Sequence, residues 1–314
     1  MSSSLATQVR DEPWIPHHMI GPRDRAPRLA LVADFYGHEL NGMFVLSRLA
    51  AFLHEIEAGV RDGLRMQERV VIVPTASGSD RGRGSGHAGA AATSLSGRQQ
   101  AMWMKTEALL SMTRVAYYRV DMHTVNLEIE EMPQVRLYAP SDDERASACL
   151  FGLPAVIERP LDQGVMPGLV RAWHQQGGEN FVIHAGQAGN LQPGHCETLF
   201  RGLVAFLDRT GIVSGLHLAE EEDDLHYFSQ SQVFVVLAEL SGLFSSCLEV
   251  GRWVQAGDEL GRVYDSFTGE LRASVIAPQS GLLASLRRQP LLCEGDLVAR
   301  ILRPDRAERR ARVR

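Results

Sequence analysis

Three short segments of the 314-residue sequence carry side chains suited to acid–base or metal chemistry, and each lies where an apolar run stops. Ala33-Asp-Phe-Tyr-Gly-His-Glu-Leu-Asn-Gly42 holds His38, Glu39 and Asn41. A carboxylate at a helix start is favoured by the helix dipole and can ligate a metal; it can equally serve as a plain N-terminal cap. Val120-Asp-Met-His-Thr124 spaces Asp121 and His123 two apart, which on a strand turns both to one side. A carboxylate beside an imidazole commonly fixes the ring in metal sites. Phe181-Val-Ile-His-Ala-Gly186 presents His184, a residue type that serves as base, ligand or structural group. A lone histidine after an apolar strand is more often structural. Three strand ends that all present Glu or His point instead to one shared site.

The elements that must position these groups follow from periodicity. Arg28–Ala33 and Arg69–Val73 read as short buried strands, and between them Met43, Leu46, Leu49, Ala50, Leu53 and Ile56 recur at helical spacing. Strand, helix, strand predicts a right-handed parallel crossover. Further on, helices are expected near 99–112, 166–175 and 197–209, with strands at 115–120, 155–157 and 180–184. This alternation over residues 28–215 predicts an α/β domain, its largely parallel or mixed sheet flanked by helices, and ligands then bind at the carboxyl ends of the strands. Thr75–Gly97 is rich in Gly, Ser and Ala and carries Arg81 and Arg83, which makes it a candidate substrate loop.

Beyond residue 216 the helical pattern stops. The acidic run Glu220–Asp224 reads as a solvated linker. Ser241-Gly-Leu243 leads to Gly257-Asp-Glu-Leu260, and Ser280-Gly-Leu282 leads to Gly295-Asp-Leu297, a repeat of one supersecondary unit. A small all-β domain of two halves over 216–303 is expected, between an N-terminal arm (1–27) and an arginine-rich tail (304–314). Biotinyl and lipoyl carriers look similar but need a lysine in the central turn. Lys105 is the sole lysine among 32 basic residues, so the domain is not a carrier.

Composition narrows the function. A net charge of -6 argues against an electrostatic nucleic-acid binder. No apolar run reaches the roughly 18 residues of a membrane helix, and the first residues lack the apolar core of a secretory signal, so a cytoplasmic location is expected. Cys149, Cys196, Cys247 and Cys293 form no CxxC pair, and free buried thiols are the default expectation.

Taken together, Gly37-x-Glu39-Leu-Asn-Gly42, Val120-Asp-Met-His-Thr124, Pro133-Gln-Val-Arg-Leu137, Ala185-Gly186 and the Ser-Gly-Leu…Gly-Asp repeat resemble the succinylglutamate desuccinylase/aspartoacylase family, within the zinc carboxypeptidase clan, over residues 28–302. The resemblance implies a zinc-dependent deacylase that cleaves the amide of a small N-acyl, carboxylate-bearing substrate. It implies Glu39 and His123 as zinc ligands. The chain departs from the pattern where Tyr36 replaces a zinc-binding His and His184 replaces the general-base Glu. The expected site therefore has Glu39, His123 and either His38 or His184 on one zinc ion, with His184 as base if it is free. Asp121 and Tyr36 stand behind them, and Arg136, Asn41 and one of Arg81, Arg83 or Arg98 hold the substrate. The alternative from another class is a non-catalytic binding or scaffold subunit, assembled with itself or with an intact paralogue.

Overall fold

The computed structural model describes residues 15–35, 37–76, 95–124, 126–160, 167–216, 218 and 225–304, with backbone alone for 95–103. The linker run Glu220–Asp224, the tail beyond 304, most of the 75–97 loop and residue Tyr36 lie outside the described residues. In chain order the first half contains β1 His18–Ile20, β2 Pro27–Ala33, α1 Leu40–Glu57, β3 Arg65–Met66, β4 Arg69–Val73, α2 Leu95–Thr113 and β5 Tyr118–Met122. It continues with β6 Ile129–Tyr138, α3 Asp142–Cys149, β7 Ala155–Arg159, α4 Gly168–His174, β8 Glu179–Gly186, α5 Pro193–Arg209 and β9 Val213–Ser214.

Strands β4, β2, β5 and β8 are parallel neighbours, as the alternating pattern requires. Their carboxyl ends therefore emerge on one edge. Along this sheet, successive side chains turn to opposite faces. Leu31, Val120, Phe181 and Ile183 pack with α1, α3 and α5, whereas Val32, Val73 and Val182 pack with Leu109 of α2 and Leu169, Val170 and Trp173 of α4. α1 buries Leu46, Leu49, Ala50, Leu53 and Ile56 of the predicted stripe, with Val45 buried in place of the half-buried Met43. Gly42 lets the helix close on the sheet: a Cβ there would stand 2.9 Å from that of Met122.

Among the elements absent from the sequence reading, β6 is a ten-residue strand through the Pro133-Gln-Val-Arg-Leu137 motif, antiparallel to β8. Glu130, Glu131, Pro133 and Arg136 interrupt its apolar pattern, and all ten residues are nevertheless buried. The remaining strands are β10 His226–Phe228, β11 Val233–Leu237, β12 Gly242–Ser246, β13 Trp253–Val254, β14 Glu259–Tyr264, β15 Leu271–Ile276, β16 Gly281–Arg287, β17 Leu291–Leu292 and β18 Leu297–Leu302. β16 pairs with the start of β6, β18 with β16 and β11 with β18, so the central sheet runs on into the C-terminal part.

The repeat has a structural counterpart. Each Ser-Gly-Leu begins a long strand, β12 or β16, and each Gly-Asp turn leads to its antiparallel partner, β14 or β18. The short strand inside each half pairs across to the other half: β13 to β16, β17 to β12. Neither half closes without its mate. In the N-terminal arm, β1 caps the sheet edge against β4. All four cysteines are free, and Cys196 is buried, but Cys247 and Cys293 are exposed, against the expectation for all four.

Candidate active site

The turn after β2 sets the first group. Asp34 takes φ 56, and its carboxylate accepts the Glu39 N–H at 3.2 Å and the Thr75 hydroxyl at 2.9 Å. Glu39 is thereby held at the N-cap of α1, fully buried (0% exposed). Its carboxylate accepts the Thr124 N–H at 2.8 Å. Burying an ion is costly unless it is hydrogen-bonded, and the Thr124 amide and the helix N-terminus meet that need.

β5 and its continuation bring the second pair. His123 N–H donates to the Ile183 carbonyl at 2.8 Å, which extends the β5–β8 ladder one residue past the strand. His123 Nδ1 stands 3.5 Å from Glu39 Oε1 and 3.6 Å from Asp121 Oδ2. Asp121 is buried, and its Oδ1 has no hydrogen-bond partner among the described residues. Burial, and then the neighbouring Glu39, push its carboxyl well above the usual range. His123 is lowered to about 3, first by burial and then by His184 and Arg136.

His184 arrives from β8, its ring centroid 5.3 Å from that of His123. It pairs in register with Gln134 of β6, the strand the sequence reading did not anticipate. From the same strand, Glu131 Oε2 lies 3.0 Å from His184 Nδ1, and Arg136 Nη1 lies 3.4 Å from Nε2. Arg136 also donates to Glu131 Oε1 at 2.5 Å. Burial opposes ionisation of Glu131. Arg136, the His184 hydrogen bond and Arg300 outweigh it and hold the carboxyl well below the ordinary value. An ionised Glu131 accepts the hydrogen bond of Nδ1–H and leaves Nε2 as the acceptor. His184 itself falls to about 4, chiefly from burial and then from Arg136.

The fold thus gathers Glu39, Asp121, His123, His184 and Arg136 at one edge. Asn41 has another task. Its amide donates to the Ala185 carbonyl at 3.3 Å and to Gln192 Oε1 at 3.2 Å, and its oxygen accepts the Gln192 N–H at 2.8 Å, so it ties α1 to the end of β8. His38 is exposed, unlike Glu39 beside it. Arg81, Arg83 and the Arg98 side chain lie outside the described residues, as does Tyr36. Sequence reasoning missed Glu131, and also Glu130, which is bound to His195 and Gln192 at 2.7 Å each on the far side of β6. The available signal was a pair of acids opening an otherwise apolar segment.

No protein-family model matches the sequence, and no curated protein does. Solved structures do. The product-bound ectoine utilization protein EutE (DoeB) from Ruegeria pomeroyi shares 22% identity over 92% of this chain and 88% of its own, with TM-score 0.66. A succinylglutamate desuccinylase/aspartoacylase from Rhodobacter sphaeroides shares 18% over 93% and 90%, with TM-score 0.67. A succinylglutamate desuccinylase from Silicibacter sp. TM1040 shares 22% over 92% and 88%, with TM-score 0.63. The chain has the fold of the succinylglutamate desuccinylase/aspartoacylase proteins along nearly its whole length. Among the described residues, no helix is long and apolar enough to cross a membrane.

The sequence resemblance carries an expectation of zinc. Glu39 and His123 present donors 3.5 Å apart, close to one edge of a tetrahedron with ligands about 2.0–2.2 Å from the metal. Among the described residues, however, no three His, Cys, Asp or Glu gather as a metal-holding group. The described residues do not close a zinc set.

Proposed function

We propose that the chain is a divergent deacylase that hydrolyses the amide of a small N-acyl substrate bearing a carboxylate. The observation that supports this most is the convergence of Glu39, His123 and His184 at the ends of three adjacent parallel strands, in the fold that the desuccinylase/aspartoacylase structures share. In this reading His184 is the base. Glu131 holds its Nδ1 proton, and Nε2 takes a proton from the attacking water. A histidine lowered to about 4 is neutral at pH 7 and ready to accept, though weakly basic. Arg136, at 3.4 Å, rests on that same Nε2. A substrate carboxylate that draws the guanidinium away frees the base, which couples binding to catalysis. Zinc at Glu39 and His123 remains part of the proposal as an expectation from the sequence, with a third ligand unassigned.

The test is release of free amine from a panel of N-acetyl and N-succinyl amino acids by the purified chain. Hydrolysis that falls by about 100-fold or more in His184→Ala and Glu39→Gln supports the reading, the range expected for losing a positioned acid–base group. A folded protein that cleaves none of the panel sinks it and favours a binding subunit.

A further inference from the structure

The N-terminal arm meets the far end of α1 through two histidines that the reaction does not use. His18 Nδ1 of β1 lies 3.2 Å from His54 Nε2 of α1, with the rings edge to face and their centroids 5.3 Å apart. The His54 side chain is 46% exposed and His18 is half-buried, so a hydrated cation can reach both. A shared proton accounts for this spacing, and so does a metal ion. Two ligands on one tetrahedral zinc, each about 2.0–2.1 Å from it, stand about 3.3–3.4 Å apart. The surroundings favour the metal. Glu57 Oε2 lies 3.5 Å from His54 Nδ1, where a carboxylate orients the ring of a metal-bound histidine. Glu57 is itself fixed, because its Oε1 accepts the N–H of Gly21, just past β1, at 2.9 Å. With Glu57 on the Nδ1 side, the lone pair of His54 Nε2 is left to face His18. His17 is exposed and its Nδ1 lies 3.0 Å from the Ile15 carbonyl, so it is not counted as a ligand.

We propose that His18 and His54, backed by Glu57, bind a divalent transition-metal ion that favours imidazole, zinc or copper(II), and that this ion clips the N-terminal arm to α1. Two protein nitrogens leave the remaining positions to water, which makes the site an exchangeable one and not a closed structural one. β1 is only three residues long and pairs with β4 alone, so a link to α1 gives the arm a second anchor. The site is separate from the candidate active site. Glu39 caps the start of α1 and His54 lies in its last turn, roughly 20 Å away at 1.5 Å per residue. The proposal therefore stands apart from the deacylase reading.

The experiment uses the full chain carrying His123→Gln, which removes the Glu39–His123 pair as a competing site. After treatment with a chelator, equilibrium dialysis and calorimetric titration with zinc sulfate should show one zinc per chain. Zinc should also raise Tm, since a ligand of the folded state stabilises it. Adding His18→Gln or His54→Gln should weaken zinc binding by about 10-fold or more and remove the rise in Tm, and Glu57→Gln should weaken it by about 10-fold. His17→Gln should change neither. Magnesium at the same concentration should give no shift, because it prefers oxygen ligands. Circular dichroism confirms that each variant is folded. If one is not, copper(II) on the parent chain gives a reading without further substitution: its electron paramagnetic resonance spectrum should show two coordinated imidazole nitrogens. Four outcomes overturn the proposal: no zinc binding, zinc binding unchanged in His18→Gln and His54→Gln, loss in His17→Gln but not in His54→Gln, or a copper spectrum without two nitrogens. Amine release by the wild-type chain reports separately on the deacylase reading.

Discussion

Glu131 and His184 form a buried carboxylate–imidazole pair, Oε2 to Nδ1 at 3.0 Å, although neither residue is adjacent in sequence to the other or to the Glu39 turn. The pair exists because β6 runs antiparallel to β8 and a register shift between Glu131 and Gln134 swings Glu131 toward the strand end. Glu131→Gln keeps the shape but removes the charge that Arg136 and Arg300 lean on. Breaking a buried ion pair from one side costs roughly 3–5 kcal/mol. The expected outcome is a clear fall in the chemical denaturation midpoint, with an unchanged denaturant slope. A midpoint unmoved by the substitution would show that the guanidiniums are solvated and the pair is incidental.

How much of this was legible in the sequence depends on what each element demands. β2, α1 and β8 carry unbroken apolar runs or helical stripes, and their positions agree with the reading to within a few residues. Asp121 and His123 were recognisable because a strand alternates its side chains. β6 was not, because Glu131 and Arg136, which break its pattern, are satisfied by each other and by His184 of β8 and Arg300 of β18. Arg300 was hidden for a plainer reason: with 31 arginines, type alone singles out none.

Acid should destabilise the fold, with a sign that can be worked out. His184 and His123 titrate near 4 and 3 when folded and near 6.5 when unfolded. Between these limits the unfolded chain binds the protons, so stability falls as pH drops below about 6.5, at up to ~1.4 kcal/mol per pH unit for each group. Glu131, whose folded value is depressed, adds stability above the unfolded carboxyl range that is lost as pH falls below it. Asp121 works in the opposite sense, because its folded value is raised. Melting curves from pH 7.5 to 4.5 should therefore shift down, and more shallowly for His184→Gln. Parallel wild-type and variant curves would remove His184 from the explanation.

Arg119 should prove a structural residue of the first rank. Buried on β5, it donates to the carbonyls of Ala116, Gly177 and Trp173 at 2.9, 2.7 and 3.0 Å and to Asn180 Oδ1 at 3.1 Å. Arg119→Met fills the space but strands these acceptors, at about 1–3 kcal/mol for each group left buried and unmet. Reduced soluble yield or a drop in Tm of several degrees is expected.

Gly186 closes β8 at φ +78, and a Cβ there would fall 2.2 Å from Asn41 Nδ2 and 2.3 Å from Gln192 Oε1. Gly186→Ala must therefore both strain the backbone, at roughly 1–3 kcal/mol, and push apart the amides that fix α1 to β8. Since α1 carries Glu39, hydrolysis should suffer along with stability. Thermal denaturation and the amine-release assay check the two effects separately, and a stable variant with intact hydrolysis would show that the Asn41–Gln192 contact does not position the site.

Glu39 and His123 offer two donors, and the resemblance to the zinc deacylases puts Tyr36 where a third, a histidine, is expected. A phenol must lose a proton of pKa about 10 to bind a metal well, whereas a neutral imidazole binds zinc directly. Tyr36→His should therefore convert a weak or absent zinc site into a three-ligand site that retains about one zinc per chain after dialysis against a mild chelator. Adding Glu39→Gln to that variant should abolish retention, since it removes one of the three donors while leaving the new histidine in place. Elemental analysis of wild type, single and double variants settles the matter. Zinc retained equally by all three would mean that the metal is held elsewhere, and no gain in Tyr36→His would show that residue 36 does not face the Glu39–His123 pair.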